Sequence, residues 1–155
     1  MNKILVTGSS GHMGTVVIET LLKKMSAQHI HVITRKEEKR SEMEARGLNA
    51  FSGDYKDVAS LERAMNGVDT VLLISSGDQG DRMQEHKNVV DAAKKMGVTS
   101  IAYTSRSLKN RATLTNTLME EHFATEDYIK QSGLNYIIFK MRYTWRFFCI
   151  LLAKQ

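Results

Sequence analysis

The most constraining feature of this sequence is its opening, KILVT followed by GSSGHMG and then a helical pattern. A short β-branched run (Lys3 to Thr7) stops at Gly8, and glycines recur at Gly11 and Gly14. From Met13, apolar residues at Val16, Val17, Leu21, Leu22 and Met25 repeat at helical spacing. Each glycine has a physical use in a strand–turn–helix unit. Gly8 permits a tight turn, Gly11 lets backbone N–H groups approach a diphosphate, and Gly14 allows the helix to pack on the strand. Ser9, Ser10, His12 and Met13 complete the candidate phosphate seat. The alternative is a turn of the same shape that holds no ligand.

The same alternation continues along the chain. HIHVITR (His29 to Arg35) alternates polar and apolar residues like a strand, and Glu37 to Arg46 reads as a polar helix closed by Gly47. LNAFSGD (Leu48 to Asp54) is a third, weaker strand. Asp57 is placed to cap the helix VASLERAM, which ends at Asn66-Gly67. DTVLLIS (Asp69 to Ser75) reads as a buried strand. Arg82 to Met96 is a helix with Met83, Val89, Val90, Ala93 and Met96 facing inward. SIAYTS, a helix from Thr115 to Gln131, and NYIIF complete the pattern. Six strands with helices on short links predict an α/β fold with a doubly wound parallel sheet of Rossmann type. A flavodoxin-like strand order is the fallback.

Composition narrows the function. The chain has 155 residues, a one-domain length, and its apolar runs fall short of the about 18–20 residues that span a bilayer. ILV is too short for the core of a signal peptide, and the single cysteine, Cys149, suits a reducing cytoplasm. Of the net charge of +5, three positives (Arg142, Arg146 and Lys154) lie beyond residue 140. The rest carries no basic stripe, so nucleic acid is not an expected partner. Metal-ligand spacings are likewise not expected.

Strand ends predict the ligand. Ligands of doubly wound sheets sit beyond the C-terminal ends of the strands. The second strand ends in Arg35 and Lys36 with no acid until Glu37, and a planar guanidinium suits a 2′-phosphate. NADP is therefore expected over NAD, unless Arg35 is only a solvated surface residue. Asp54 and Tyr55 could bracket an adenine, and Ser75-Ser76 could approach the ribose and diphosphate. YIIFK formally places Tyr136 and Lys140 at the spacing of a short-chain dehydrogenase pair. That spacing works on a helix; on a strand the side chains would lie about 13 Å apart, so the match is read as accidental.

VTGSSGHMG, VITR, SGDYKD, VLLISS, IAYTS and EHFATEDYIKQSGLNYIIFK together resemble the NmrA-like atypical short-chain dehydrogenases, nearest the NAD(P)H:quinone oxidoreductase type 2 group. The resemblance covers residues 1 to about 140. It implies an NADPH-dependent oxidoreductase acting on a quinone-like small molecule, or else a non-catalytic NADP sensor. It assigns Gly8 to Gly14 to the diphosphate, Arg35 to the 2′-phosphate and Asp54-Tyr55 to the adenine side. Ser75, Ser76, Tyr103, Thr104 and Ser105 fall beside the ribose–nicotinamide portion, with Lys140 closing the sixth strand. A nucleotide-sugar epimerase relative is disfavoured by the missing Tyr/Lys pair. His122 and Glu126, four apart on the last helix, share a face and are candidates for a hydrogen bond or proton relay, against an ordinary partly exposed pair.

Two departures from the family pattern produce a further expectation. The resemblance implies a smaller C-terminal part closing the substrate cleft, and this chain stops at Gln155. It also has Met141 where the family has Asn. A one-base deletion near codon 140 accounts for both, since a restored base turns KMRYTW into KNALYM. Residues 1–140 are then the NAD(P)-binding domain and 141–155 an out-of-frame tail, with weak or absent turnover. The rival is a genuine apolar, basic tail for a membrane surface or partner. FFCILLA in that tail could also drive homo-oligomerisation.

Overall fold

The computed structural model describes residues 2–76, 80–107 and 117–141. The elements are β1 (Ile4–Val6), α1 (His12–Leu22), β2 (Ile30–Thr34), α2 (Glu37–Ala45), β3 (Asn49–Ser52), α3 (Val58–Met65), β4 (Thr70–Leu73), α4 (Arg82–Lys95), β5 (Ser100–Arg106), α5 (Thr117–Gln131) and β6 (Asn135–Met141). The strands form one parallel sheet in the order β3-β2-β1-β4-β5-β6. The expected doubly wound Rossmann arrangement is present, and the flavodoxin-like order is not. The direction of winding reverses between β1 and β4, which opens a crevice at their C-terminal ends.

Side-chain alternation along each strand feeds two cores. Leu5 packs with Ile33, Leu61, Met65, Val89, Val90 and Ile129 on the face carrying α3, α4 and α5. Val6 packs with Val17, Ile18, Val32, Met43 and Leu72 on the face carrying α1 and α2. This two-sided burial is why the central strands read as continuous apolar runs.

Several local expectations need correction. Helix α1 begins at His12 and stops at Leu22, so Met25 lies beyond it; the buried face is Gly14, Val17, Ile18 and Leu21, while Val16 is half-buried. Strand β2 is buried at all five positions, His31 included. Central placement between β1 and β3 overrides the polar–apolar alternation. His31 Nδ1 meets the Ala64 carbonyl at 2.8 Å, and burial lowers its pKa. The inward face of α4 holds Arg82, Glu85 and His86 with Val89, Val90, Ala92 and Ala93, whereas Met83 and Met96 are half-buried. The Asp57 cap is present, its Oδ1 accepting from the Ser60 amide at 3.1 Å. Thr115, Asn116 and the tail beyond Met141 lie outside the described residues.

Candidate functional site

The glycine turn has the geometry its spacing implied. Gly8 sits at φ +60°, in the left-handed region that glycine adopts without a Cβ penalty. A Cβ on Gly14 would lie 2.3 Å from the Gly8 carbonyl oxygen and 2.6 Å from Ser9 Cα, so helix α1 is pressed directly on the turn. The Gly11 amide donates to Gly8 O at 3.1 Å, and Gly11 caps α1 without a side-chain hydrogen bond. The N-terminal end of α1 thereby borders the crevice, where unpaired backbone N–H groups would favour an anion.

A cleft of about 420 Å³ opens at this point. Its walls are Gly8, Ser10 and Gly11 after β1; Ile33, Thr34 and Arg35 at the end of β2; Gly53, Asp54 and Tyr55 after β3; and Ile74, Ser75, Ser76 and Glu85 from β4 and α4. The structure thus brings together eight of the residues singled out by sequence: Gly8, Ser10, Gly11, Arg35, Asp54, Tyr55, Ser75 and Ser76.

Others stand behind the wall or elsewhere. Ser9 is fully buried, its hydroxyl donating to Ile33 O at 2.7 Å and tying the turn to β2. Gly14 is buried under the turn; His12 is exposed on the first turn of α1 and Met13 packs on the α1–α2 core. Tyr55 contributes its body to the cleft, but its hydroxyl donates to Ile74 O at 2.7 Å and lies 2.8 Å from Thr7 Oγ1. It braces the floor beneath Gly8, and burial raises its pKa.

At the β5–β6 side, the i,i+4 residues of α5 are not an exposed pair. His122 and Glu126 are 2% and 1% exposed, and each turns to β5. His122 Nδ1 lies 2.7 Å from the Tyr103 hydroxyl, whose pKa burial raises, and Glu126 Oε1 accepts from Ser105 Oγ at 2.5 Å. Lys140 Nζ is 3.3 Å from Glu126 Oε2, and Thr104 Oγ1 accepts from the Ser75 amide at 3.0 Å. Tyr103, Ser105, His122, Glu126 and Lys140 therefore form a cluster beside the cleft rather than part of its wall. Tyr136 and Lys140 both lie on β6, as a strand reading required.

Sequence reasoning missed Ile33, Thr34, Gly53, Ile74, Glu85, Arg82 and His86. The last three carried a signal: the stripe through Val89 and Ala93, extended backward at i−3, i−4 and i−7, passes through Glu85, His86 and Arg82. Among the described residues no group of His, Cys, Asp and Glu could hold a metal, and no helix is long and apolar enough to cross a membrane.

The sequence model of a family described as NAD(P)H-binding matches residues 8–144. The chain belongs to that family. Among its relatives, quinone oxidoreductase 2 of Escherichia coli K12 is 40% identical over 137 residues, covering 88% of this chain and 47% of the relative. An NmrA-like oxidoreductase of Aspergillus flavus is 32% identical, covering 86% and 45%. The resemblance to NmrA-like reductases therefore holds. Among solved structures, Citrobacter triphenylmethane reductase complexed with NADP(H) matches at TM-score 0.84 and 33% identity, over 94% of this chain and 51% of that one. The Escherichia coli NADPH-dependent quinone oxidoreductase complexed with NADPH matches at TM-score 0.80 and 39% identity, over 88% and 48%. The chain spans about half the length of these NAD(P)H-binding proteins. It is an NAD(P)H-binding domain of that family.

Proposed function

We propose that this chain binds NADP(H) across the C-terminal edge of its sheet and is the cofactor-binding part of a reductase for a quinone-like acceptor. The observation that carries the reading is that Arg35 at the end of β2 and the Gly8–Gly11 turn after the neighbouring β1 line one cleft beside the switch point. The residues fit the cofactor. A cradle that a Cβ at Gly14 would destroy suits a diphosphate, and the guanidinium of Arg35, 80% exposed, is free to turn toward a 2′-phosphate.

In this reading the turn from Gly8 to Gly14, with Ser9, Ser10, His12 and Met13, holds the diphosphate. Asp54 and the Tyr55 ring flank the adenine, and Ser75 and Ser76 meet the ribose. Tyr103, Thr104, Ser105 and Lys140 form the support under the nicotinamide side, with Glu126 and His122 fixing them from α5. When bound, reduced nicotinamide supplies the hydride. The chain's residues position it. Residues 1–140 constitute the binding unit, and 142–155 lie outside the described residues.

The acceptor class rests on the relatives' chemistry. The test is NADPH oxidation followed in the presence of a small quinone. Acceptor-dependent oxidation by the wild type, with a raised KM for NADPH in Arg35→Ala, supports the reductase. NADPH binding without acceptor-dependent oxidation contradicts it and favours a non-catalytic NADP sensor.

A further inference from the structure

Ser76, which ends the described part of the β4 exit, is gripped at both of its backbone polar groups. Its N–H donates to His86 Nε2 at 3.0 Å, and its carbonyl accepts from Arg82 Nε at 3.1 Å. Both side chains come from α4, four residues apart, and both are buried, at 3% exposure for Arg82 and 0% for His86.

The contact fixes the imidazole's proton. Since Nε2 accepts, Nδ1 carries the hydrogen and donates to Thr125 Oγ1 at 2.9 Å, and Thr125 in turn donates to Glu121 O at 2.8 Å. Arg82 Nη1 meets the Glu121 carboxylate at 2.5 Å. Both grips are thus anchored on α5. Burial pushes the His86 pKa down to about 3, so the acceptor persists through the neutral range.

Apolar residues would pack α4 on α5 at least as well as a buried guanidinium and imidazole. What the polar pair adds is a fixed orientation of the Ser76 peptide on the cleft wall. The Ser76 hydroxyl, hidden from solvent, makes no hydrogen bond within the described residues.

We propose that Arg82 and His86 are positioning residues of the cofactor site, setting the Ser76 peptide for the diphosphate and nicotinamide-side ribose of NADP(H). The adenosine 2′-phosphate end is left to Arg35. This rests on the NADP(H) reading above and extends it to residues that never touch the cofactor.

The experiment titrates the full chain with two probes, NADPH and 2′,5′-ADP. The second carries the adenosine with its 2′- and 5′-phosphates but lacks the nicotinamide-side phosphate and ribose that the Ser76 peptide is set for. His86→Phe and Arg82→Met are expected to weaken NADPH about tenfold, the scale of one lost hydrogen bond in a buried site. Both should leave 2′,5′-ADP within about twofold. His86→Gln, which keeps an acceptor, should recover most of the NADPH affinity. Equal weakening of both probes means a merely structural role and overturns the proposal, as does unchanged NADPH affinity. If His86→Phe and Arg82→Met do not fold, Arg82→Lys decides: it keeps a charge facing Glu121 but removes the Nε–H aimed at Ser76. Loss on NADPH alone supports the proposal, and no loss overturns it. A wild type that binds neither probe defeats the NADP(H) reading itself, and the inference with it.

Discussion

Arg35 and Asp54 meet at the β2–β3 end of the cleft, Nη1 lying 3.8 Å from Oδ2. The two residues are nineteen apart in sequence and join because β2 and β3 are parallel neighbours, Thr34 pairing with Ser52. With Arg35 80% exposed, such a pair is worth at most about 1 kcal/mol. A phosphate that offers bidentate, charge-assisted bonds can displace it.

Under the proposed NADP(H) reading, Asp54 competes for Arg35 and repels a 2′-phosphate. Asp54→Asn is expected to raise the ratio of NADPH to NADH affinity by about threefold, on the scale of a surface ion pair. Calorimetric titration with both cofactors measures the ratio, and a ratio that stays level or falls contradicts the role.

The glycines separate folding from binding. Gly14→Ala drives its Cβ to 2.3 Å from backbone at Gly8, where nothing flexible can yield. A loss of about 3 kcal/mol or more is expected in urea unfolding. At Gly11 the nearest contact for a Cβ is 3.3 Å, so Gly11→Ala should cost no more than about 1 kcal/mol. That methyl lies at the mouth of the anion seat, and nucleotide affinity should fall about tenfold or more. Equal stability of the two variants would show the turn to be looser than described.

Acid sensitivity follows from the buried histidines. His86 has an ordinary pKa of 6.5 that burial lowers to about 3, and His31 moves in the same direction. Between those values the unfolded chain binds the extra proton, so stability rises with pH there and is fully present above about 6.5. It is lost as pH falls toward 3. Unfolding free energies measured from pH 7.5 down to 4.5 should decline more steeply for wild type than for His86→Gln. The difference should approach the limit of about 1.4 kcal/mol per pH unit for one proton. Parallel curves would mean that His86 is solvated.

The legible parts of the sequence were those governed by local rules. Strand–helix alternation, the glycine stops (Gly47, Gly97 and Gly133 all at positive φ) and the Asp57 cap follow from neighbouring residues alone. The cleft's eight anticipated residues were legible because strand ends converge in a doubly wound sheet. Polar residues turned inward were not. His31, Arg82, Glu85 and His86 look like surface residues on propensity and become core residues only because distant partners satisfy them. Ala64 does this for His31, Glu121 for Arg82 and Thr125 for His86. Similarly, His122 and Glu126 share a helix face as their spacing required. Which strand residues they would engage depended on the β5–α5 packing.

In the proposed reading, Arg35 and the glycine turn form one NADP(H) site. Calorimetric titration of wild type and Arg35→Ala with NADPH and NADH tests it most directly. Wild type is expected to bind NADPH more tightly than NADH, with the preference largely abolished in Arg35→Ala and NADH affinity little changed. Equal wild-type affinity for the two cofactors, or a preference that survives loss of Arg35, would contradict it.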